Sequence, residues 1–338
     1  MHISDIGYEL PAELVAQQPV EPRDSARLLD ATNGFVHRRV SDLAGVVGEG
    51  DLLVVNETRV LPARLDLLRS TGGRVEVLLL EALDETDSRW EALVRPGRKM
   101  RDGEELLATN GSVFAVVEGR SDAGDTFVVR IEHGDDPTSR RAAISAVGSM
   151  PLPPYITAPL VDPERYQTVY ARREASAAAP TAGLHFTPEL MARIVERGAK
   201  FAPVELVVGL DTFKPVEEEN PLHHKIHTER YSVPEATWQA VREARRVIAV
   251  GTTSCRALES AATTGCLEGR TDLFITPGYE WKVVDVLMTN FHMPRTTLLL
   301  MIGAFVGDAW REIYAEAVRE RYRFLSFGDA MLLVRSGS

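Results

Sequence analysis

The chain has 338 residues, 44% of them hydrophobic and 26% charged, so it can bury a large core and sits in the ordinary range for a soluble globular protein. Its formal net charge of −11 excludes a protein that grips nucleic acid by overall attraction, and an RNA partner would need a local basic surface. Two cysteines, Cys255 and Cys266, allow at most one bridge and no zinc pairing; no signal-peptide pattern and no membrane-length apolar run is evident, so a cytoplasmic protein without membrane contact is expected.

In chain order, 51–56 is the first strand candidate and ends in Asn56. From about Arg64 to about Ile144 the signal is almost entirely β, with short runs at 75–80, 90–94, 112–117 and 126–131. Gly72-Gly73, Pro96-Gly97, Asn110-Gly111 and Asp122-Ala123-Gly124 separate them, and Asn110-Gly111 is a two-residue hairpin signal. Short strands at this spacing suggest a small antiparallel barrel or sandwich. After Pro151-Leu152-Pro153-Pro154 the pattern turns α/β: helix 188–197, strand 201–208, helix 235–244, strand 247–250, a helix through 256–262 and strand 272–275. The expected fold is an α/β main domain with a mainly parallel sheet, made of residues 1–62 and 149–338, with an antiparallel β-barrel of 63–148 inserted.

The stretch Pro180-Thr181-Ala182-Gly183-Leu184-His185-Phe186 leads directly into a helix start, with Thr187 as N-cap, Pro188 at the first position and Glu189 at the positive dipole end. A buried helix needs only the cap and the apolar spacing. A lead-in of small residues around one histidine suggests close approach of the backbone to a ligand. Gly251-Thr252-Thr253-Ser254 follows a strand and precedes a helix, so its N–H groups and hydroxyls suit an anion, although plain helix capping explains the pattern as well. It is neither a Walker loop nor a dinucleotide fingerprint. Asn290 and His292 alternate with Phe291 and Met293, which puts the polar pair on one face if the segment is extended; ordinary capping of a strand end is the alternative. His223, His224, His227 and Glu229 form the densest titratable cluster, but Pro221 and Pro234 break the helix that a metal site would need, and no metal is expected. Two basic groups, Arg95/Arg98/Lys99/Arg101 and Arg319/Arg321/Arg323, are candidate RNA surfaces or solvated faces.

Taken together, these segments resemble the S-adenosylmethionine:tRNA ribosyltransferase-isomerase family of queuosine synthesis. The resemblance also rests on 50–60, Met150–Ile156, Glu164–Tyr170, Pro277-Gly278-Tyr279, Val284-Asp285, Thr289–Pro294 and Phe327–Met331, and runs in order from Tyr8 to Leu333. It implies transfer of the ribosyl carbons of S-adenosylmethionine to 7-aminomethyl-7-deazaguanine at the wobble position of a GUN-anticodon tRNA, ring contraction to epoxyqueuosine, and release of adenine and methionine. No cofactor beyond the donor itself is implied, and a monomer is the default.

His185, His292 and His227 are the proton-transfer candidates, because an imidazole titrates near working pH. Substrate contacts are expected from Asn56, Arg59, Pro180, Thr181, Gly183, Phe186, Glu229, Gly251, Thr252, Thr253, Arg256, Asp285 and Asn290, and tRNA contacts from Arg95, Arg98, Lys99, Arg101 and Lys225. The chain departs from the family pattern at Ala175 and Asp211, where glycine is usual, and at Val207, where histidine is usual. A methyltransferase is a weak rival, since Gly48-Glu49-Gly50 precedes the first strand rather than following it. The second rival is an RNA-binding module without catalysis.

Overall fold

In the computed structural model the chain opens with an antiparallel pair, β1 (Arg27–Asp30) and β2 (Val36–Arg39), followed by β3 (Asp51–Asn56) and β4 (Thr58–Val60). The residues described are all except 122, 123, 125, 210–215, 217, 225 and 338. Every residue of β3 is buried, as its Leu-Leu-Val-Val run requires of a strand covered on both faces.

The chain then leaves this layer. Strands β5 (Arg64–Arg69), β6 (Arg74–Ala82), β7 (Arg89–Arg95), β8 (Glu104–Leu107), β9 (Val113–Arg120) and β10 (Phe127–Ile131) close an antiparallel barrel in the order β10-β7-β6-β5-β8-β9. Leu65, Leu67, Val75, Val77, Val117 and Val129 alternate inward to fill it, and closure leaves no unpaired edge. The four short runs read from sequence fall on β6, β7, β9 and β10. Asn110-Gly111 does turn β8 into β9, through a longer loop in which Ala108 N donates to Ser112 O and Gly111 takes φ +85°. One helix breaks the expected all-β run: α1 (Pro137–Val147), capped by Asp136, whose carboxylate accepts from Thr138 N and Ser139 N. Among its residues only Ile144 is buried, so it has no apolar stripe for periodicity to reveal. The return is tight. A side chain on Gly148 would meet the Pro62 carbonyl at 1.8 Å, and Arg64 pairs with Ser149, so the outgoing and incoming chains run side by side.

The remaining elements are β11 (Arg173–Ser176), α2 (Pro188–Glu196), β12 (Lys200–Leu206), β13 (Glu229–Ser232), α3 (Glu235–Glu243), β14 (Arg246–Val250), α4 (Thr252–Thr264), β15 (Glu268–Thr271), β16 (Val286–Asn290), α5 (Thr297–Val306), α6 (Trp310–Arg319) and β17 (Ala330–Val334). A large mixed sheet runs β15-β13-β12-β3-β14-β16-β17-β1-β2. Its central β12-β3-β14-β16 ladder is parallel, β1 lies parallel to β17, and the flanking pairs are antiparallel. Strand β4 pairs with β11 in a separate two-stranded ladder. Apolar layers cover both sheet faces. One, built on Leu52, Val54, Ala249 and Leu287, packs α4, α5 and α6; the other, built on Leu53, Val55, Ile248 and Met288, packs α2. The expected strand at 272–275 is not formed: β15 ends at Thr271, and Arg256 takes the carbonyls of Thr271 and Leu273 that a ladder would have used.

Candidate active site

Strands β14 and β16 lie side by side and parallel, with Val250 opposite Met288, so their carboxyl ends open on the same side. Crevices at that end of a parallel sheet are where α/β folds place ligands. Here β14 passes through Gly251, held at φ +88°, straight into α4, whose first residues are Thr252 and Thr253. Strand β16 ends in Thr289 and Asn290, and His292 follows. The turn at Pro180-Thr181-Ala182 closes a third side. Together with Tyr155, Met293, Leu325 and Ser326 these residues line a cleft.

Inside it the polar groups are ordered. Thr181 Oγ1 donates to Asn290 Oδ1 at 3.0 Å, while Asn290 Nδ2 donates to Asp329 O at 3.3 Å and lies 3.4 Å from His185 Nε2. An amide nitrogen only donates, so His185 accepts through Nε2 and carries its proton on Nδ1. The same contacts point Asn290 Oδ1 toward the cleft side. His292 Nε2 lies 3.1 Å from Thr289 Oγ1, and its backbone is held by the Tyr8 and Tyr314 hydroxyls. Burial pushes His292 down to about 3; burial together with the charges of Arg323, Arg23 and Arg165 pushes His185 down to about 4. Both imidazoles are therefore neutral at ordinary pH.

The two differ in position. His292 faces the cleft, whereas His185 stands behind Asn290 and opens onto a separate cavity of about 240 Å³ beside Arg23, Arg165 and Phe327. Tyr155 Oη and Ser326 Oγ lie 2.7 Å apart on the cleft wall, and Leu325 just before them takes φ +70°, a conformation costly for a branched side chain. Sequence reasoning missed Tyr155, Thr289, Leu325 and Ser326 as lining groups, because no local pattern marks which residues the fold brings to the cleft wall.

A second cavity adjoins the first and shares Thr252, Thr253 and Leu298 with it. Leu206, Ile226, Leu273, Phe274, Ile275 and Met301 form its apolar wall, and Glu229 and Arg256 its polar floor. The two floor residues are ion-paired; Glu229 Oε1 accepts from Gly209 N at 2.8 Å, and Arg256 also donates to Leu273 O and Thr271 O.

Other expected contacts lie elsewhere, each for a visible reason. Asn56 is fully buried and spends its amide joining β3 to β12, donating to Leu206 O and accepting from Leu206 N and Thr58 N. Arg59 pairs with Glu164 and Glu174. Asp285 accepts from Val247 N at 2.9 Å and faces Arg335. Phe186 packs edge-on against Tyr170 and Phe201 in the core. Gly183 does not line the cleft, and a Cβ there would come 2.0 Å from the Tyr170 hydroxyl, a packing demand that by itself calls for glycine. His227 is half-buried just ahead of β13 and does not line the cleft. His224 bonds Glu218 and His223 approaches Asn220, so the histidine cluster is dispersed; among the described residues no group of three His, Cys, Asp or Glu could hold a metal. Lys225 and Asp211 lie outside the described residues.

The two basic groups also separate. Arg319, Arg321 and Arg323 each face a carboxylate: Glu316, Glu13 and Asp329. Arg95, Arg98, Lys99 and Arg101, at the end of β7 and in the turn after it, are exposed and form no ion pair among the described residues.

Residues 3–333 match the model of a family described as "Queuosine biosynthesis protein". Curated relatives named S-adenosylmethionine:tRNA ribosyltransferase-isomerase include one from Symbiobacterium thermophilum, 50% identical across 99% of this chain and 100% of its own, and one from Rubrobacter xylanophilus, 50% identical across 100% and 99%. The crystal structure of the S-adenosylmethionine tRNA ribosyltransferase of Thermotoga maritima superposes with a TM-score of 0.55 at 38% identity, over 98% of this chain and 100% of that one. Among the described residues no helix is long and apolar enough to cross a membrane. A sheet crevice lined by hydroxyls, a helix N-terminus and a neutral imidazole, in a chain that matches such relatives end to end, belongs to a member of the S-adenosylmethionine:tRNA ribosyltransferase-isomerase family of queuosine synthesis.

Proposed function

We propose that this enzyme moves the ribosyl group of S-adenosylmethionine onto 7-aminomethyl-7-deazaguanine at the wobble position of a GUN-anticodon tRNA. Ring contraction then gives epoxyqueuosine, and adenine and methionine leave. The observation that carries the reading is the cleft at the carboxyl ends of β14 and β16, which gathers around one space the groups such chemistry needs. The α4 N-terminus at Thr252 and Thr253 offers backbone N–H groups and a positive dipole end to a tRNA phosphate. Asn290 Oδ1, its orientation fixed by Thr181, accepts from an N–H of adenine. His292, neutral in the cleft, accepts a proton or hydrogen bond without opposing the sulfonium charge. His185 acts through Asn290 as a positioning residue.

The barrel cations Arg95, Arg98, Lys99 and Arg101 supply the local basic surface that an acidic protein needs for tRNA. We assign residues 63–148 to an inserted barrel domain and 1–62 with 149–338 to the catalytic domain, since the two connections lie side by side at Arg64 and Ser149. The working form is taken as a cytoplasmic monomer. The test is adenine release from S-adenosylmethionine in the presence of an anticodon stem-loop carrying 7-aminomethyl-7-deazaguanine. Release that needs the modified base is the expected outcome; tRNA binding without adenine release would leave a binding module.

A further inference from the structure

The second cavity is apolar on its walls and charged only at its floor. Leu206, Ile226, Leu273, Phe274, Ile275 and Met301 line it, and the buried Glu229–Arg256 pair closes it. Such a pair is the electrostatic complement of a zwitterion: a carboxylate is drawn to the guanidinium side and an ammonium to the carboxylate side. Three nitrogens of Arg256 each donate one hydrogen bond within the protein, and a guanidinium carries five N–H groups, so donors remain for a ligand. Apolar walls that include Met301 and Phe274 suit a polarisable thioether arm. Thr252, Thr253 and Leu298 line both this cavity and the main cleft, and the Thr253 hydroxyl is buried there without a hydrogen-bond partner.

Resting on the donor assignment above, we propose that this cavity is a methionine subsite. The methionyl arm of the donor lies in it, and free methionine, once released, binds there separately from adenine, which stays by Asn290 and His292. The division explains why polar lining is concentrated in the first chamber and apolar lining in the second.

Equilibrium dialysis of labelled L-methionine and labelled adenine against the full-length protein tests this without requiring turnover. Wild type should bind both, with neither displacing the other. Phe274→Ala should weaken methionine binding at least tenfold and adenine binding less than twofold, and Asn290→Ala should do the reverse. Met301→Leu, which conserves volume, should weaken methionine alone and guards against misfolding in the larger truncation. Loss of adenine rather than methionine in Phe274→Ala and Met301→Leu would give the chamber to the base and overturn the proposal. So would mutual displacement of the two ligands, or no methionine binding by wild type. Failure of adenine release in the turnover assay, by contrast, bears on the reaction and not on this division.

Discussion

At the scale of single residues, the site turns on two buried imidazoles, of which the sequence puts His185 first for proton transfer. Each stands in a loop that resembles a family motif, so both are read as proton-transfer candidates. Only burial and neighbours separate them: His292 faces the cleft, and His185 buttresses Asn290. His292→Ala is expected to cut turnover about 100-fold with tRNA affinity unchanged, the usual scale for a lost proton-transfer group; near-normal turnover would remove it from the chemistry. A pH effect follows from the same burial. Unfolded histidine titrates near 6.5, whereas His292 and His185 are held at about 3 and about 4, so below pH 6.5 the unfolded chain binds protons that the folded chain refuses. Stability is therefore constant from these groups above 6.5 and falls as pH drops through the window toward 4, by up to about 1.4 kcal/mol per pH unit for each histidine. Urea midpoints at pH 7, 6 and 5 should decline, and less steeply in His292→Gln; an equal decline in the variant would contradict the assignment. Two expected contacts stand outside the cleft lining for a related reason. Gly183 and Asn56 carry residue types common at sites, but their constraint is the Tyr170 ring in one case and a strand junction in the other, and neither contact can be seen along the chain.

Among the elements, strongly patterned segments were legible and weakly patterned ones were not. The cap at Thr187-Pro188 and the Leu-Leu-Val-Val run of β3 place α2 and the sheet centre correctly, because local chemistry and burial agree there. Helix α1 escaped because it buries little, and 272–275 was misread because an apolar run covers a cavity instead of pairing. The loop after it is set by a device equally invisible in sequence. Glu259, in the middle of α4, is fully buried, and its two oxygens accept from Lys282 N, Val283 N, Val284 N and the Tyr279 hydroxyl. This carboxylate anchors the Pro277-Gly278-Tyr279 segment onto the helix and leads the chain into β16, which carries Thr289 and Asn290. Glu259→Gln would turn an amide N–H toward a donor and is expected to cost about 1–3 kcal/mol of stability, read as a lower denaturation midpoint. An unchanged midpoint would mean that the loop is held by its apolar contacts instead.

For the whole molecule, the question is how an enzyme of net charge −11 holds a polyanion. The division of arginines gives the answer proposed here. Those on the sheet domain near 319–323 are paired with carboxylates, whereas those on the barrel at 95–101 form no ion pair among the described residues. Replacing Arg95, Arg98 and Lys99 together by Ala should weaken tRNA binding and reduce the slope of log K against log salt by about 2, the share of three lost phosphate contacts. An unchanged slope would place the tRNA on another face. The barrel and the parallel sheet centre were legible from turn spacing and helix–strand alternation, but the docking of one on the other was not, since it depends on close contacts such as Gly148 against Pro62. The most direct test of the central claim is a transfer experiment with S-adenosylmethionine labelled with ¹³C throughout its ribosyl group and a stem-loop carrying 7-aminomethyl-7-deazaguanine. The account requires the RNA mass to rise by the intact labelled carbon unit, with one adenine released for each unit transferred. RNA that gains only an unlabelled methyl group, or adenine released without label reaching the RNA, would contradict it.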